Sequence, residues 1–260
     1  MNLPAPFWKM ASFPGADGNA LFGEHAKRRI ELWHGSLQQV GWSSVLYLLS
    51  DEERRRADTL VFERDARRFV VSHALLRMLL SQLTAIPVSQ LRLRLERGSK
   101  PVLETAMGQP IHFSLSRSEE RVLIGFASRP LGVDIEWLGR ALDIQGLADH
   151  VLSRRELDAF GRLDPRDRQK AFLRCWTQKE AYLKAIGEGL HMPLDSVEVS
   201  LDPAAPPGLK RICGDRDTAA EWFVEIVTPE EGYIGAVVVP GRLWQVEMTG
   251  LGTSSLLVST

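Results

Sequence analysis

Residues 172–190 read FLRCWTQKEAYLKAIGEGL, a pattern that predicts one helix around which the rest of the chain is arranged. Strong helix formers fill its middle, and two closely spaced glycines stop it. Trp176, Glu180 and Lys184 are four residues apart, so their side chains share one face. An aromatic ring, a carboxylate and an ammonium group can contact a sugar or base, a metal ion and a phosphate. A surface helix with an ordinary i,i+4 Glu–Lys pair has the same pattern, so the remaining sequence must decide between the two interpretations.

The composition of the 260-residue chain is typical of a folded globular protein, with 44% hydrophobic and 25% charged residues. A formal net charge of -1 argues against non-specific coating of nucleic acid. Two cysteines without regular spacing argue against a disulfide framework or a zinc site. No apolar run is long enough for a transmembrane helix, and the N-terminus lacks the pattern of a signal peptide. We therefore expect a cytoplasmic protein.

The predicted elements occur twice in the same order. Ser50 with Glu53 forms a capping-box pattern before one long helical segment, and Ser153 with Glu156 forms another before the second. A short alternating strand follows each helix, first LRLRL and later VEVSL. This recurring order of cap, helix and strand indicates two similar halves, because chance similarity of two helices would not reproduce it.

Alternating apolar segments complete each half. IHFSLS, VLIGFAS and LGVDIE read as strands, and we expect the last two to form an antiparallel hairpin joined at Arg129 and Pro130. The later segment EWFVEIVTPEEGYIGAVVV resembles this region. We predict an α+β fold with two similar halves in tandem, related by a pseudo-twofold axis, and an active site in the cleft between them. The expected segments are an irregular N-terminal arm (1–28), a first half (29–130), a second half (131–247) and a C-terminal tail (248–260).

Two acidic residues in one predicted strand are candidate metal ligands. Asp134 and Glu136 are two positions apart, so their side chains lie on the same face. Adjacent carboxylates repel each other unless a cation neutralises them, and oxygen ligands suit Mg²⁺ or Mn²⁺. Glu180 from the second-half helix would supply a third carboxylate. A solvated strand face is the alternative interpretation of the same pattern.

Basic residues could bind phosphate groups in the same cleft. Arg56, Lys100 and Arg117 lie near predicted turns or helix starts, and arginine binds phosphate through paired hydrogen bonds. Each alone is also typical of a solvated surface charge. The sequence contains no Walker or dinucleotide-binding glycine loop, no HExxH pattern and no G-x-S-x-G elbow. Covalent nucleophilic catalysis therefore has little support.

Two motifs together resemble those of the Sfp-type 4′-phosphopantetheinyl transferases. They are GVDIE at 132–136 and WTQKEAYLKAIGEGL at 176–190. Two weaker similarities accompany them, SKPVL at 99–103 with the family's G-K-P turn and HFSLSRS at 112–118 with its F-N-x-S-H-S strand. Arg117 stands where the family has histidine, and Ser114 stands where it has asparagine. The resemblance covers roughly residues 30–245 and includes the two-half architecture.

The resemblance implies Mg²⁺-dependent transfer of the 4′-phosphopantetheine arm of coenzyme A to a serine of an apo-acyl or peptidyl carrier protein. Adenosine 3′,5′-bisphosphate would be released. Asp134, Glu136 and Glu180 match the family's metal ligands. Glu180 also matches the position proposed to deprotonate the serine, and Lys184 matches a phosphate contact. These two are the candidate catalytic residues. The coenzyme A contacts that the resemblance implies are Arg56, Lys100, Pro101, Ser116, Arg117 and Lys184.

Two other functions remain open from the sequence. The carboxylates and Lys184 are also compatible with a metal-dependent phosphodiesterase or nuclease. A non-catalytic carrier-protein-binding module could retain the same fold. The intact carboxylate set favours an enzyme, and the balanced net charge argues against a nucleic-acid partner. By analogy with the family, we expect a monomer with no membrane partner, while the preferred carrier protein stays undetermined.

Overall fold

The computed structural model describes residues 28–38, 40–95, 100–104, 111–187 and 192–251. The predicted N-terminal arm up to residue 27, the turn at Gly98 and Ser99, Gly189 and the tail from residue 252 lie outside the described residues. The helices are α1 (Trp42–Val45), α2 (Asp51–Asp58), α3 (Glu63–Thr84), α4 (Ile144–Val151), α5 (Arg154–Gly161), α6 (Pro165–Ile186) and α7 (Arg216–Ala220). The strands are β1 (Arg29–Ser36), β2 (Leu93–Leu95), β3 (Pro101–Leu103), β4 (His112–Ser118), β5 (Arg121–Ala127), β6 (Gly132–Trp137), β7 (Val197–Val199), β8 (Leu209–Ile212), β9 (Trp222–Val227), β10 (Tyr233–Pro240) and β11 (Gln245–Gly250).

The two halves repeat one topology, and the predicted α+β fold is confirmed. The first half contains the strand order β1-β5-β4, and the second contains the equivalent order β6-β10-β9. In each half a short capped helix, α2 or α5, precedes a 22-residue helix, α3 or α6. A two-stranded ribbon, β2–β3 or β7–β8, follows the long helix. Each long helix packs its apolar face into the core of its own half.

In both halves a buried basic side chain from the long helix binds the glutamate of the capping box. The Ser50 hydroxyl accepts from the Glu53 amide, and the Glu53 carboxylate accepts from the Ser50 amide. Arg77 of α3 then binds Glu53 at 3.1 Å. In the second half Lys179 of α6 binds the capping-box residue Glu156 at 2.6 Å. The repeated ion pair fixes each short helix to the long helix that follows it.

The predicted hairpin between residues 122–128 and 131–136 is wrong. Strand β5 pairs on one side with β1 and on the other with β4, so neither of its edges is free for β6. The segment at Arg129 and Pro130 instead carries the chain into the second sheet, where β6 pairs with β10. The two sheets pack against each other through an inter-sheet core. It comprises Ile30, Leu32, Leu123, Ala127, Leu131, Val133, Ile135, Val227, Val237, Val239 and Trp244.

The C-terminal part of the chain returns to the first-half sheet. Strand β11 pairs in parallel with β1, so it crosses the predicted boundary between a second half ending at 247 and a tail beginning at 248. This pairing covers the outer edge of β1, whose backbone groups would otherwise be unpaired. Val246 packs against the inter-sheet core, and Arg29 forms an ion pair with Glu247. The strand therefore joins the two ends of the described chain.

A close approach between α6 and β6 brings the candidate residues together. Helix α6 begins at Pro165, earlier than the predicted start at 172, with the Asp164 side chain as its N-cap. Gly187 ends it in a left-handed conformation with φ 75°. A Cβ on Gly132 would lie 1.8 Å from the Ala181 carbonyl oxygen, so only glycine lets the strand approach this closely.

Candidate active site

A pocket of about 300 Å³ lies in the cleft between the two halves. Four of the predicted coenzyme contacts, Arg56, Lys100, Pro101 and Arg117, line it from the first half. Lys184 lines it from α6 in the second half. The fold therefore gathers at one pocket five cationic or turn residues that come from four separate parts of the sequence.

Lys184 connects this pocket to the carboxylates of β6. Its ammonium group donates to Asp134 Oδ1 at 2.6 Å and to Ser116 Oγ at 2.9 Å. The Ser116 hydroxyl donates to the same carboxylate oxygen at 2.8 Å. Ser116, expected to contact coenzyme A, thus lies on the carboxylate side of Lys184. The lysine is bound across the helix–sheet interface, which the surface-helix interpretation did not anticipate.

The three predicted metal ligands share one electrostatic environment. Burial raises the pKa of Glu180, and the negative charge of Asp134 raises it further, while Lys184 opposes the change. Burial and then Asp134 also raise the pKa of Glu136, against the hydrogen bond from Ser118. These shifts follow first from burial, which disfavours the charged carboxylates, and then from the negative charge concentrated around them. A bound cation would relieve the repulsion.

The donor set fits a hard divalent cation. Oδ2 of Asp134 is buried and has no hydrogen-bond partner, so one carboxylate oxygen has its lone pairs free. All three candidate ligands are carboxylates, the donor type that Mg²⁺ and Mn²⁺ prefer. Within the described ranges, no group of three or more His, Cys, Asp or Glu side chains is already arranged to hold a metal ion. An assembled site therefore requires Asp134, Glu136 and Glu180 to converge.

Two arginines that line the pocket contact the same aromatic ring. The guanidinium carbons of Arg56 and Arg117 lie 5.7 Å and 5.6 Å from the centroid of the Phe69 ring. His73 stacks on the same ring with centroids 3.8 Å apart. Burial lowers the pKa of His73 to about 4, and the charge of Arg117 adds to this effect. The imidazole is therefore neutral at pH 7, and the arginines carry the positive charge.

The arginine pair is suited to an anion. Packing around Arg117 and then the charge of Arg56 lower the pKa of Arg117, although part of its surface reaches solvent. Its guanidinium has a long contact of 3.5 Å with the Ser72 hydroxyl. Two converging guanidinium groups repel each other, and a phosphate between them would remove that repulsion. Neither Phe69 nor His73 was identified from the sequence, because their roles depend on packing.

Lys100 has a different environment from the arginines. Its ammonium group donates to the carbonyl oxygens of Leu131 and Lys184, each at 2.7 Å. It thereby connects the first half to the start of β6 and to the C-terminal turn of α6. Its assignment as a coenzyme contact stays a prediction.

The neighbouring residues Lys179 and Glu180 have separate roles. Lys179 is fully buried and donates to the Val151 carbonyl and to Glu156, both at 2.6 Å. Glu156 also accepts from the Val199 amide at 2.7 Å. Lys179 therefore fixes the second half, whereas Glu180 interacts with the cleft carboxylates. Helical geometry alone places Lys179 off the face that carries Glu180, a signal that sequence reasoning overlooked.

Comparison with known proteins gives a consistent result for both halves. The family model of the 4′-phosphopantetheinyl transferase superfamily matches residues 130–238, and that of the 4′-phosphopantetheinyl transferase N-terminal family matches residues 31–130. The chain is 32% identical over 220 residues to the 4′-phosphopantetheinyl transferase HetI of Nostoc sp., covering 83% of this chain and 90% of the relative. It is 28% identical over 221 residues to the 4′-phosphopantetheinyl transferase Sfp of Bacillus subtilis, covering 85% and 95%. A further relative is the 4′-phosphopantetheinyl transferase psf-1 of Bacillus pumilus, 31% identical over 203 residues and covering 70% and 85%.

Among the helices within the described ranges, none combines the length and the apolar character needed to cross a bilayer.

Proposed function

Since this chain belongs to the 4′-phosphopantetheinyl transferase superfamily and is a transferase, we propose that coenzyme A is its donor substrate. The acceptor is a serine of an apo-acyl or peptidyl carrier protein, Mg²⁺ is the cation, and adenosine 3′,5′-bisphosphate is the leaving group. The observation that carries this proposal is the position of Lys184. It lines the pocket that contains the arginines and is hydrogen-bonded to Asp134.

The pocket residues bind and orient the phosphates of the donor. Arg56 and Arg117 offer planar guanidinium groups to phosphate oxygens, and Lys184 supplies a point charge next to the carboxylates. The serine oxygen of the carrier forms a bond to the β-phosphorus of coenzyme A. The bond from that phosphorus to the bridging oxygen breaks, and the electron pair leaves with adenosine 3′,5′-bisphosphate. Lys184 stabilises the negative charge that develops on the phosphate oxygens.

Glu180 removes the serine proton, directly or through a water molecule. A serine hydroxyl is a weak nucleophile at neutral pH, so a positioned base lowers the barrier. While no cation is bound, burial and then Asp134 raise the pKa of Glu180 above the ordinary value for glutamate. Asp134, Glu136 and Glu180 would hold the divalent cation, which supplies charge stabilisation to the phosphate oxygens when bound.

The proposal also includes an oligomeric state and a cellular compartment. We propose a cytoplasmic monomer without nucleic-acid or membrane partners. The net charge of -1 supports the first exclusion, and the two free cysteines, Cys175 and Cys213, are compatible with a reducing compartment.

Mass spectrometry of an apo-carrier protein incubated with coenzyme A and Mg²⁺ tests the proposal. The wild-type protein is expected to add one phosphopantetheinyl arm, and Glu180→Ala is expected to abolish the addition. Glu221→Ala, on an exposed position beyond α7, is the matched control and should leave labelling intact. Near-normal labelling by Glu180→Ala would contradict the assignment. Hydrolysis of coenzyme A without a mass gain would indicate a phosphodiesterase, and binding without either change would indicate a non-catalytic module.

A further inference from the structure

Alternate residues of β4 form a row of hydroxyl groups directed at β6. Ser114, Ser116 and Ser118 lie on one face of the strand, as the two-residue period of a strand requires. Ser114 accepts a hydrogen bond from the Val133 amide at 3.1 Å, and Ser116 donates to Asp134 at 2.8 Å. In the described sheets β4 and β6 are not paired through their backbones. The hydroxyl groups therefore connect the two halves at this position.

The Ser118 hydroxyl both accepts and donates a hydrogen bond. Its oxygen accepts from the Trp137 amide at 3.0 Å and donates to Glu136 Oε2 at 2.8 Å. A serine hydroxyl carries a single hydrogen, and the Trp137 N–H cannot accept it. The hydrogen of Ser118 is therefore directed at the carboxylate. Ser118 is only 7% exposed, so water has little access to replace this bond.

Glu136 also forms an ion pair with a more exposed residue. Arg140, four residues later, lies 3.5 Å from the same Oε2 atom, and its side chain is 49% exposed. Without the Ser118 hydroxyl, the ion pair with Arg140 would draw the carboxylate towards the solvent. The bond from Ser118 opposes this movement and keeps Glu136 on the same side as Asp134.

We propose that Ser118 is a positioning residue that holds Glu136 in the orientation needed to bind a divalent cation together with Asp134. The first half of the chain thereby orients a metal ligand that belongs to the second half. The inference rests on the proposed function, because it takes Asp134 and Glu136 as ligands. Hydrogen-bond partners of metal ligands commonly affect metal affinity in this way.

The Mn²⁺ dissociation constant, measured from the electron paramagnetic resonance signal of free Mn²⁺, tests the inference without relying on activity. Ser118→Ala is expected to weaken Mn²⁺ binding about tenfold. Ser114→Ala removes a hydroxyl from the same face of the same strand, but one whose hydrogen bond comes from the Val133 amide and does not involve a carboxylate. Its Mn²⁺ affinity is expected to stay near the wild-type value. Asp134→Asn, expected to abolish binding, assigns the bound ion to this site.

Every other outcome of the Mn²⁺ measurements would contradict either the role of Ser118 or the proposed metal site. An unchanged or tighter Mn²⁺ affinity in Ser118→Ala would overturn the role of Ser118, as would equal weakening in Ser114→Ala, which would indicate a general loosening of the interface. Wild-type protein that binds no Mn²⁺ at this site would overturn the inference together with the metal component of the proposed function. The two failures are distinguishable, because the second is already visible in the wild type.

Discussion

His73 links the chemistry of the pocket to the stability of the fold. Its pKa is lowered from 6.5 to about 4 by burial and then by Arg117. Because the folded-state pKa lies below the unfolded-state value, the unfolded chain binds a proton first as the pH falls. The free energy of unfolding therefore falls by on the order of 2–3 kcal/mol as the pH drops from 6.5 to 4.

The substitution His73→Leu removes this titration. We expect its free energy of unfolding, measured by urea denaturation, to fall less steeply than that of the wild type between pH 6.5 and 4. The comparison at pH 7.5 is the control, since His73 is neutral there and any difference reports packing alone. Parallel pH profiles for the two proteins would show that His73 does not titrate in this way.

At the residue scale, prediction from the sequence depended on periodicity. The four-residue spacing placed Glu180 and Lys184 on one helix face, and the two-residue spacing placed Asp134 and Glu136 on one strand face. No periodicity could reveal that Ser118 would contact Glu136, because the contact joins two strands that do not pair through their backbones. Residues of this kind become identifiable only from the tertiary structure.

At the scale of the elements, Gly132 controls the approach of β6 to α6. A Cβ at this position would lie 1.8 Å from the Ala181 carbonyl oxygen and 2.6 Å from the Ala185 amide nitrogen, both backbone atoms that cannot rotate away. Gly132→Ala must therefore separate the strand from the helix. We expect destabilisation of roughly 3 kcal/mol, since overpacking a buried contact commonly costs 1–3 kcal/mol or more. The same separation should sharply reduce carrier labelling, because it moves Asp134 away from Lys184.

Gly161→Ala is a suitable control for that substitution. Gly161 ends α5, and a Cβ there would have nothing within 4 Å. Replacing a helical glycine with alanine at a compatible position commonly stabilises by about 0.4–1 kcal/mol. Thermal unfolding of both variants tests these expectations: the melting temperature should fall for Gly132→Ala and should not fall for Gly161→Ala. A melting temperature for Gly132→Ala equal to that of the wild type would contradict the close-approach argument.

The order of elements was predictable, whereas the pairing of strands was only partly so. Repeated capping boxes and long helices predicted the two α+β halves, because local propensity and the tertiary fold agree there. The hairpin between β5 and β6 was predicted from proximity in sequence and failed, because β1 and β4 occupy both edges of β5. Competition among strands for an edge is a property of the whole sheet, and a single segment does not contain that information.

At the scale of the whole molecule, both halves contribute fully buried residues to the same core. The inter-sheet core takes residues from both sheets, and Leu123, Val133 and Val237 are each 0% exposed within it. Strand β11 returns to β1, and an ion pair joins Arg121 of the first half to Glu230 of the second. Separating the halves would expose this apolar surface to water, so neither is expected to unfold alone.

Hydrogen exchange tests this cooperativity with a substitution in one half and a measurement in the other. Leu79 is 0% exposed in the first-half core, and Leu79→Ala is expected to destabilise the protein by about 2–5 kcal/mol. The slowest-exchanging amides of β10 should lose the same free energy of protection, because they exchange only through global unfolding. Leu243→Ala, at a position that is 77% exposed, is the control and should change neither quantity. If β10 kept its protection in Leu79→Ala, the second half would be stable without the first. The pocket between them would then depend on docking of two independent units, because the inter-sheet core would contribute too little to couple their unfolding.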